Sequence, residues 1–242
     1  MKLLFIRHGD PDYEHDWLTE KGQREAELLS FRISKMNITE FYVSTMGRAR
    51  ATSLPTLEKM GREAKQCDWL REFGPLVKRP DRQMRPGVAW DWLPQDWLKD
   101  ERLLDRTSWS ENGIFADAGI GDSYAHVTQE FDAVLAGHGY VRNSLYYDAI
   151  SPNTDTLAFF CHFGVTCVLL SHLMNVSPMI LWHGTAMAPS SVTTVYSEER
   201  RPGIASFRAS AIGDISHLYA AGEEPRFSAR FCEVYGNGDR VD

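Results

Sequence analysis

This chain of 242 residues has no long apolar run. The stretch at its N-terminus, Leu3 to Ile6, is followed directly by Arg7. A secretory h-region needs about 7–15 apolar residues, and a membrane span about 20. Neither a signal peptide nor a membrane partner is therefore expected. Cysteine is scarce: Cys67, Cys161, Cys167 and Cys232 show no C-x-x-C spacing. That pattern excludes the common zinc and dithiol motifs and reads as reduced thiols of a cytoplasmic protein. Excess positive charge is lacking as well. The 26 Lys and Arg against 33 Asp and Glu leave a net charge of −7, so the basic face needed for non-specific nucleic-acid binding is missing. A small anionic ligand stays possible, because a few arginines reverse the field inside a pocket. Internal repeats and low-complexity segments are absent too. The length suits a single domain over residues 1–242 that buries about 70% of its unfolded surface.

What is present is an alternation of strand and helix patterns. Leu3 to Ile6 is apolar throughout, as for a strand covered on both faces, and Gly9 and Pro11 end it. Thr19 is a helix cap, and Ala26, Leu29, Ile33 and Met36 form one apolar stripe. Phe41 to Ser44 reads as a strand. The run Ser44 to Thr52 (STMGRARAT) turns into a second helix, in which Pro55 predicts a kink or a late start. Ala64 to Leu70 is a weak third strand. From Phe73 to about Gly121 the patterning is lost, with Pro75, Pro80, Pro86 and Pro94 and with Trp90, Trp92, Trp97 and Trp109. Such an insertion is a lid or binding surface, a satellite cluster of buried aromatics, or both together. Asp122 or Ser123 is placed to cap the next helix. Leu157 to Cys161 is a second strongly apolar strand ahead of His162, Phe163 and Gly164, and Ser191 to Tyr196 and Ile204 to Phe207 are the last strand candidates. The tail from Gly222, with Gly236 and Gly238, is expected to be loosely ordered. The fold class is α/β, a three-layer α/β/α sandwich around a mostly parallel central sheet, with a loop-rich insertion at about 73–121.

Two apolar strands end alike, in Arg7-His8-Gly9 and in His162-Phe163-Gly164. In one parallel sheet both histidines would stand at the carboxyl edge, where ligands bind. The turn after Ser44 brings Arg48 and Arg50 towards that edge, and a helix N-terminus there adds attraction for an anion. A fixed cation beside a potential nucleophile suits phosphoryl chemistry. The run His8 to Asp16 (HGDPDYEHD) offers a competing reading as a divalent-metal site. Arg7 beside it argues against that reading, and no later cluster matches it. Cys161 beside His162 reads as an inward strand thiol. The role of His183 stays open.

The chain resembles the histidine phosphatase superfamily, also called phosphoglycerate mutase-like. The resemblance rests on Arg7-His8-Gly9, on Ser44 to Thr52, on His162 with Gly164, and on LTEKGQREAELL from Leu18 to Leu29. In the second motif Thr45, Met46 and Ala51 stand where Pro, Leu and Gln are usual. In the helix, Glu25 stands where Gln is usual.

The resemblance implies that His8 attacks phosphorus as a neutral imidazole and that His162, as an imidazolium, stabilises the equatorial oxygens. It implies Arg7 and Arg48 as the phosphoryl clamp, with Arg50 the alternative to Arg48, and groups Gly9 and Phe163 with the phosphate-binding residues. Glu72 sits where the general acid is expected, with Asp122 as the fallback. No metal and no cofactor are implied; the expected partner is a small phosphorylated substrate, and the oligomeric state is not readable. Cofactor-dependent mutases of this kind usually continue R-H-G-E-S-x-W-N and carry an E-R-H-Y-G segment, whereas Arg7 to Tyr13 reads RHGDPDY and Arg71 to Leu76 reads REFGPL. Phosphomonoester hydrolysis is therefore favoured over mutase-type transfer. A non-catalytic phosphate-binding protein is the alternative from another class. The insertion's tryptophans are candidates for selecting an aromatic or sugar-like leaving group.

Overall fold

The computed structural model describes residues 1–80, 85–226 and 236. Cys232 and Gly238 lie outside the described residues, as does most of the tail after Gly222. Eight strands form the main sheet: β1 (Lys2–Arg7), β2 (Glu40–Ser44), β3 (Lys65–Cys67), β4 (Tyr140–Asn143), β5 (Tyr146–Ala149), β6 (Thr156–Cys161), β7 (Val192–Arg201) and β8 (Ile204–Asp214). The helices are α1 (Glu20–Ile33), α2 (Gly47–Met60), α3 (Pro94–Trp97), α4 (Gly113–Asp117), α5 (Ile120–Gly137), α6 (Phe163–Met174), α7 (Pro178–Gly184) and α8 (Ser216–Ala220). Among the described residues no helix is long and apolar enough to cross a membrane.

The spatial order of strands is β3-β2-β6-β1-β7-β8-β5-β4. The four strands from β3 to β1 are mutually parallel, and the remaining pairings are antiparallel. The α/β sandwich is thus built on a mixed sheet, parallel in the half that ends at the candidate residues. The other half is antiparallel because its strands return through short hairpins, one of them turning at Gly203 with φ +79°. The strand pair β4–β5 has no apolar run to announce it: Tyr140–Asn143 reads YVRN and pairs at the sheet edge.

Alternation along β1 divides the core into two layers. Leu4 and Ile6 face α1 and α2, with Leu29, Ile33, Phe41, Val43 and Phe160. Leu3 and Phe5 face α5 and α6, where Phe159 stacks on Phe5 at 5.4 Å and on Tyr42 at 4.9 Å between ring centroids. Thr19 caps α1 by accepting from the Gly22 amide at 3.1 Å. Helix α2 starts directly after Met46 and continues through Pro55, because its buried face, from Arg48 to Thr56, anchors both sides of the missing N–H. Helix α5 begins at Ile120 behind Gly119, so Asp122 lies in its first turn rather than at its cap.

The tryptophans of the insertion pack as a cluster. Trp90, Trp92, Trp97 and Trp109 are all buried, around Phe115 and Trp182. His183 ties this cluster to α7. Its Nε2 accepts from the Trp92 amide at 3.1 Å, its Nδ1 donates to the Met179 carbonyl at 2.9 Å, and its ring stacks on Trp97. Burial pushes His183 down to about 4, so it serves as a neutral bracket. Trp90 also meets Glu72 over Gly164, at the wall of the site described next.

Candidate active site

Parallel pairing sets Arg7 opposite Cys161 and Val43 opposite Phe160. His8, His162 and Ser44 therefore emerge together at the carboxyl edge, where the backbones of β1, β6 and β2 turn away. The His8 ring is almost fully buried, and its Nδ1 lies 2.8 Å from the Gly9 carbonyl oxygen. A carbonyl can only accept, so Nδ1 carries the proton and Nε2 keeps a lone pair. Burial first, then the Arg7 and Arg48 charges, holds His8 well below the usual histidine range. The result is a neutral imidazole with a fixed tautomer.

Gly9 was grouped with the phosphate contacts, but both its backbone polar groups are committed. Its amide donates to Thr52 Oγ1 at 2.9 Å and its carbonyl takes the His8 proton. Its part is to let the turn approach α1. A Cβ on Gly9 would lie 2.7 Å from the Gly22 carbonyl oxygen, and one on Gly22 would lie 2.2 Å from that of Asp10.

His162 is fully buried, 5.1 Å from His8 between ring centroids. Its Nε2 is 2.9 Å from Ser44 Oγ, and its Nδ1 is buried without a partner among the described residues. Burial, then His8, Arg48 and Arg7, pushes its pKa well down. Its own surroundings thus favour the neutral ring over the imidazolium that the resemblance implied; only added negative charge would reverse that.

The guanidinium of Arg7 donates to the Met187 carbonyl through Nη1 at 2.5 Å. Arg48 is buried at the start of α2, whereas Arg50 is exposed. Asp16 fixes Arg48: one oxygen accepts from Arg48 Nη1 at 2.7 Å, the other from the Gly47 amide at 2.7 Å. The exposed Tyr13 ring lies 5.5 Å from the Arg48 guanidinium.

Glu72 follows β3 and reaches across to the start of α6. Its Oε1 accepts from the Phe73 amide at 2.9 Å and the Val165 amide at 3.2 Å. Two amide donors on Oε1 leave Oε2 as the oxygen to carry a proton. Burial pushes the Glu72 carboxyl above the usual range, against those bonds and the pull of Arg7 and Arg48. A Cβ on Gly164 would stand 2.6 Å from the Trp90 ring and 2.7 Å from Glu72 Oε1, so the indole and the carboxyl crowd the same spot.

Phe163 opens α6 directly after His162. Its ring is buried edge-on against Trp90, which leaves only its backbone at the head of α6. Asp122, the fallback acid, shares no hydrogen bond with these groups among the described residues. The acidic run from His8 to Asp16 disperses rather than converging: Asp12 pairs with His15, Asp16 with Arg48, and Asp10 accepts from Thr19. Among the described residues no three His, Cys, Asp or Glu side chains gather as metal ligands would. Burial pushes the Cys161 thiol up to about 12, so it stays protonated beside Thr166.

Sequence reasoning missed the roles of Ser44, Thr52 and Asp16. The first two stood inside the quoted motif, where their spacing carried the only signal. Asp16 had none, since its left-handed backbone (φ +47°) and its reach to α2 exist only in the fold.

Comparison with known proteins gives the family and the fold. The chain is 26% identical over 204 residues to the mitochondrial serine/threonine-protein phosphatase Pgam5 of Drosophila yakuba, a match covering 79% of this chain and 66% of that protein. It is 29% identical over 126 residues to the probable phosphoglycerate mutase GpmB of Serratia proteamaculans, covering 47% of this chain and 58% of that one. The match thus spans less than two thirds of either relative. Among solved structures, a phosphoserine phosphatase of Entamoeba histolytica with phosphoserine superposes with a TM-score of 0.60 at 17% identity, covering 90% of this chain and 98% of that chain. A mycobacterial glucosyl-3-phosphoglycerate phosphatase gives 0.55 at 18% identity, covering 87% and 98%; both likenesses concern the fold. The sequence profile of the histidine phosphatase superfamily (branch 1) matches residues 3–210, and the chain belongs to that superfamily.

Proposed function

We propose that this protein hydrolyses a small phosphomonoester through a phosphohistidine on His8, without a metal or cofactor. The observation that carries this reading is the 2.8 Å bond from His8 Nδ1 to the Gly9 carbonyl, which leaves a buried Nε2 lone pair beside His162 and two arginines. In the first step Nε2 bonds to phosphorus while the ester P–O bond breaks, and Glu72 Oε2 gives its proton to the leaving oxygen. In the second step water attacks the phosphohistidine, the P–N bond breaks, and the Glu72 carboxylate takes a proton from that water. Such general acid help is worth about 10²–10⁴-fold. Arg7 and Arg48 clamp the phosphoryl oxygens bidentately. A dianion between the rings supplies the negative charge that lets His162 take a proton, so the imidazolium forms as substrate binds.

The protein, incubated with a generic phosphomonoester in chelator, is expected to form an acid-labile, base-stable phosphoenzyme that disappears in His8→Ala. No turnover by a normally folded protein would overturn the hydrolase reading, and turnover only with added metal would overturn its metal independence. Transfer to a second phosphoglycerate in place of water would favour the mutase reading raised by the likeness to a probable phosphoglycerate mutase.

A further inference from the structure

Beneath the turn that follows the nucleophile lies a carboxyl group with no part in the steps above. Glu25 of α1 is fully buried, and its Oε2 accepts from the Asp10 amide at 2.8 Å, two residues beyond His8. Its Oε1 is buried with no partner among the described residues. Neither charge state is satisfied there: the ion lacks a second donor, and the acid lacks an acceptor for its proton. A glutamine would place a neutral amide at the same spot.

The neighbours decide which state is held. On the turn, Asp10 is buried and its carboxylate accepts from Thr19 at 2.7 Å, so it opposes a second negative charge. From the segment after α8, Glu223 opposes it too. On α1 itself, Lys21 would favour the ion, but its ammonium is drawn to Glu223 at 2.9 Å and to the Glu224 carbonyl. At the end of β1, Arg7 feels the Glu25 charge as well, more weakly than those of Tyr13, Glu72 and Arg48. We infer that Glu25 is a positioning residue whose ionisation, through the Gly9–Asp10 turn and the Arg7 charge, weakens the grip of the pocket on a phosphoryl dianion. The inference rests on the phosphate-pocket reading above. Desolvation, reinforced by Asp10 and Glu223, brings the Glu25 carboxyl up to about 7, so both states are populated near neutrality. Below that point the residue is neutral and glutamine-like; above it, a buried negative charge faces an incoming dianion.

The test compares the unmodified protein with Glu25→Gln in binding inorganic phosphate by calorimetry, from about pH 5.5 to about pH 8.5. Ionisation of phosphate and of the histidines is common to both proteins and cancels in the ratio of their Kd values. The ratio is expected near one on the acid side, rising to about threefold to tenfold on the alkaline side. A second variant, Lys21→Met, removes a partly exposed cation that favours the ion, so the ratio of the unmodified protein's Kd to that of Lys21→Met should peak around neutrality and fall back at both ends of the range. A flat ratio for Glu25→Gln overturns the inference, and so does a flat ratio for Lys21→Met if Glu25→Gln fails to fold. Failure of the unmodified protein to bind phosphate at any pH overturns the pocket reading itself, and the inference with it.

Discussion

Ser44 Oγ and His162 Nε2 lie 2.9 Å apart, joining the carboxyl ends of β2 and β6. Ser44 is fully buried, so the bond is shielded from water and orients the ring. Ser44→Ala should therefore lower kcat about tenfold, the equivalent of one lost neutral hydrogen bond, with KM little changed. Steady-state rates on a generic phosphomonoester test this, and an unchanged kcat would show that packing alone holds His162.

Trp90 and Glu72 meet over Gly164. If the indole keeps water from the carboxyl, Trp90→Ala should return Glu72 towards the ordinary carboxylate range. The proton Glu72 must donate is then lost at lower pH, and the alkaline limb of kcat/KM should move to lower pH. Relative rates for aromatic and aliphatic esters should stay the same where Trp90 acts through Glu72 alone, and a change in leaving-group preference without a shift in that limb would show a substrate-facing role instead.

Asp16 holds Arg48 through one oxygen and the first turn of α2 through the other. Asp16→Ala leaves the guanidinium free to wander. The expected result is a rise in KM of about fivefold to tenfold with kcat within about twofold, since uniform phosphate binding is what the clamp supplies. A fall in KM would mean instead that Asp16 competes with the phosphoryl group for Arg48.

His183 and His217 are each pushed down to about 4 by burial. Their folded values lie below the unfolded value of about 6.5, so the unfolded chain takes up protons first as pH falls. The stability they contribute is fully present above about pH 6.5 and is lost as pH drops towards about 4, on the order of 1–3 kcal/mol for each. Because His183 accepts from Trp92, the insertion should loosen as it charges. Near-ultraviolet circular dichroism of the tryptophans should change below about pH 5, and less so in His183→Gln.

Much of the site was legible as short strings. Arg7-His8-Gly9 and His162-Phe163-Gly164 end the two most apolar strands, and the parallel register of β1 on β6 brings them together. Glu72 was legible only as a position after a weak strand; the Val165 amide that holds it comes from α6, far along the chain. The sheet's antiparallel half was half-seen, because β4 and β5 carry mixed polar residues and draw their pairing from neighbours. The insertion was read as aromatic surface, buried cluster or both, and the packing of Trp109 against Trp182 exists only in the fold.

The kinds of groups available, and which of them stand at strand ends, follow from local pattern: apolar runs stop where charged residues and glycine begin, and that rule needs no tertiary contact. Protonation states and partners do not follow from it. Whether His8 is neutral, whether Glu72 keeps its proton, and whether Glu25 titrates near neutrality all depend on desolvation and on charges carried by other elements. Those distances exist only once β1, β2, β3 and β6 have closed around the pocket.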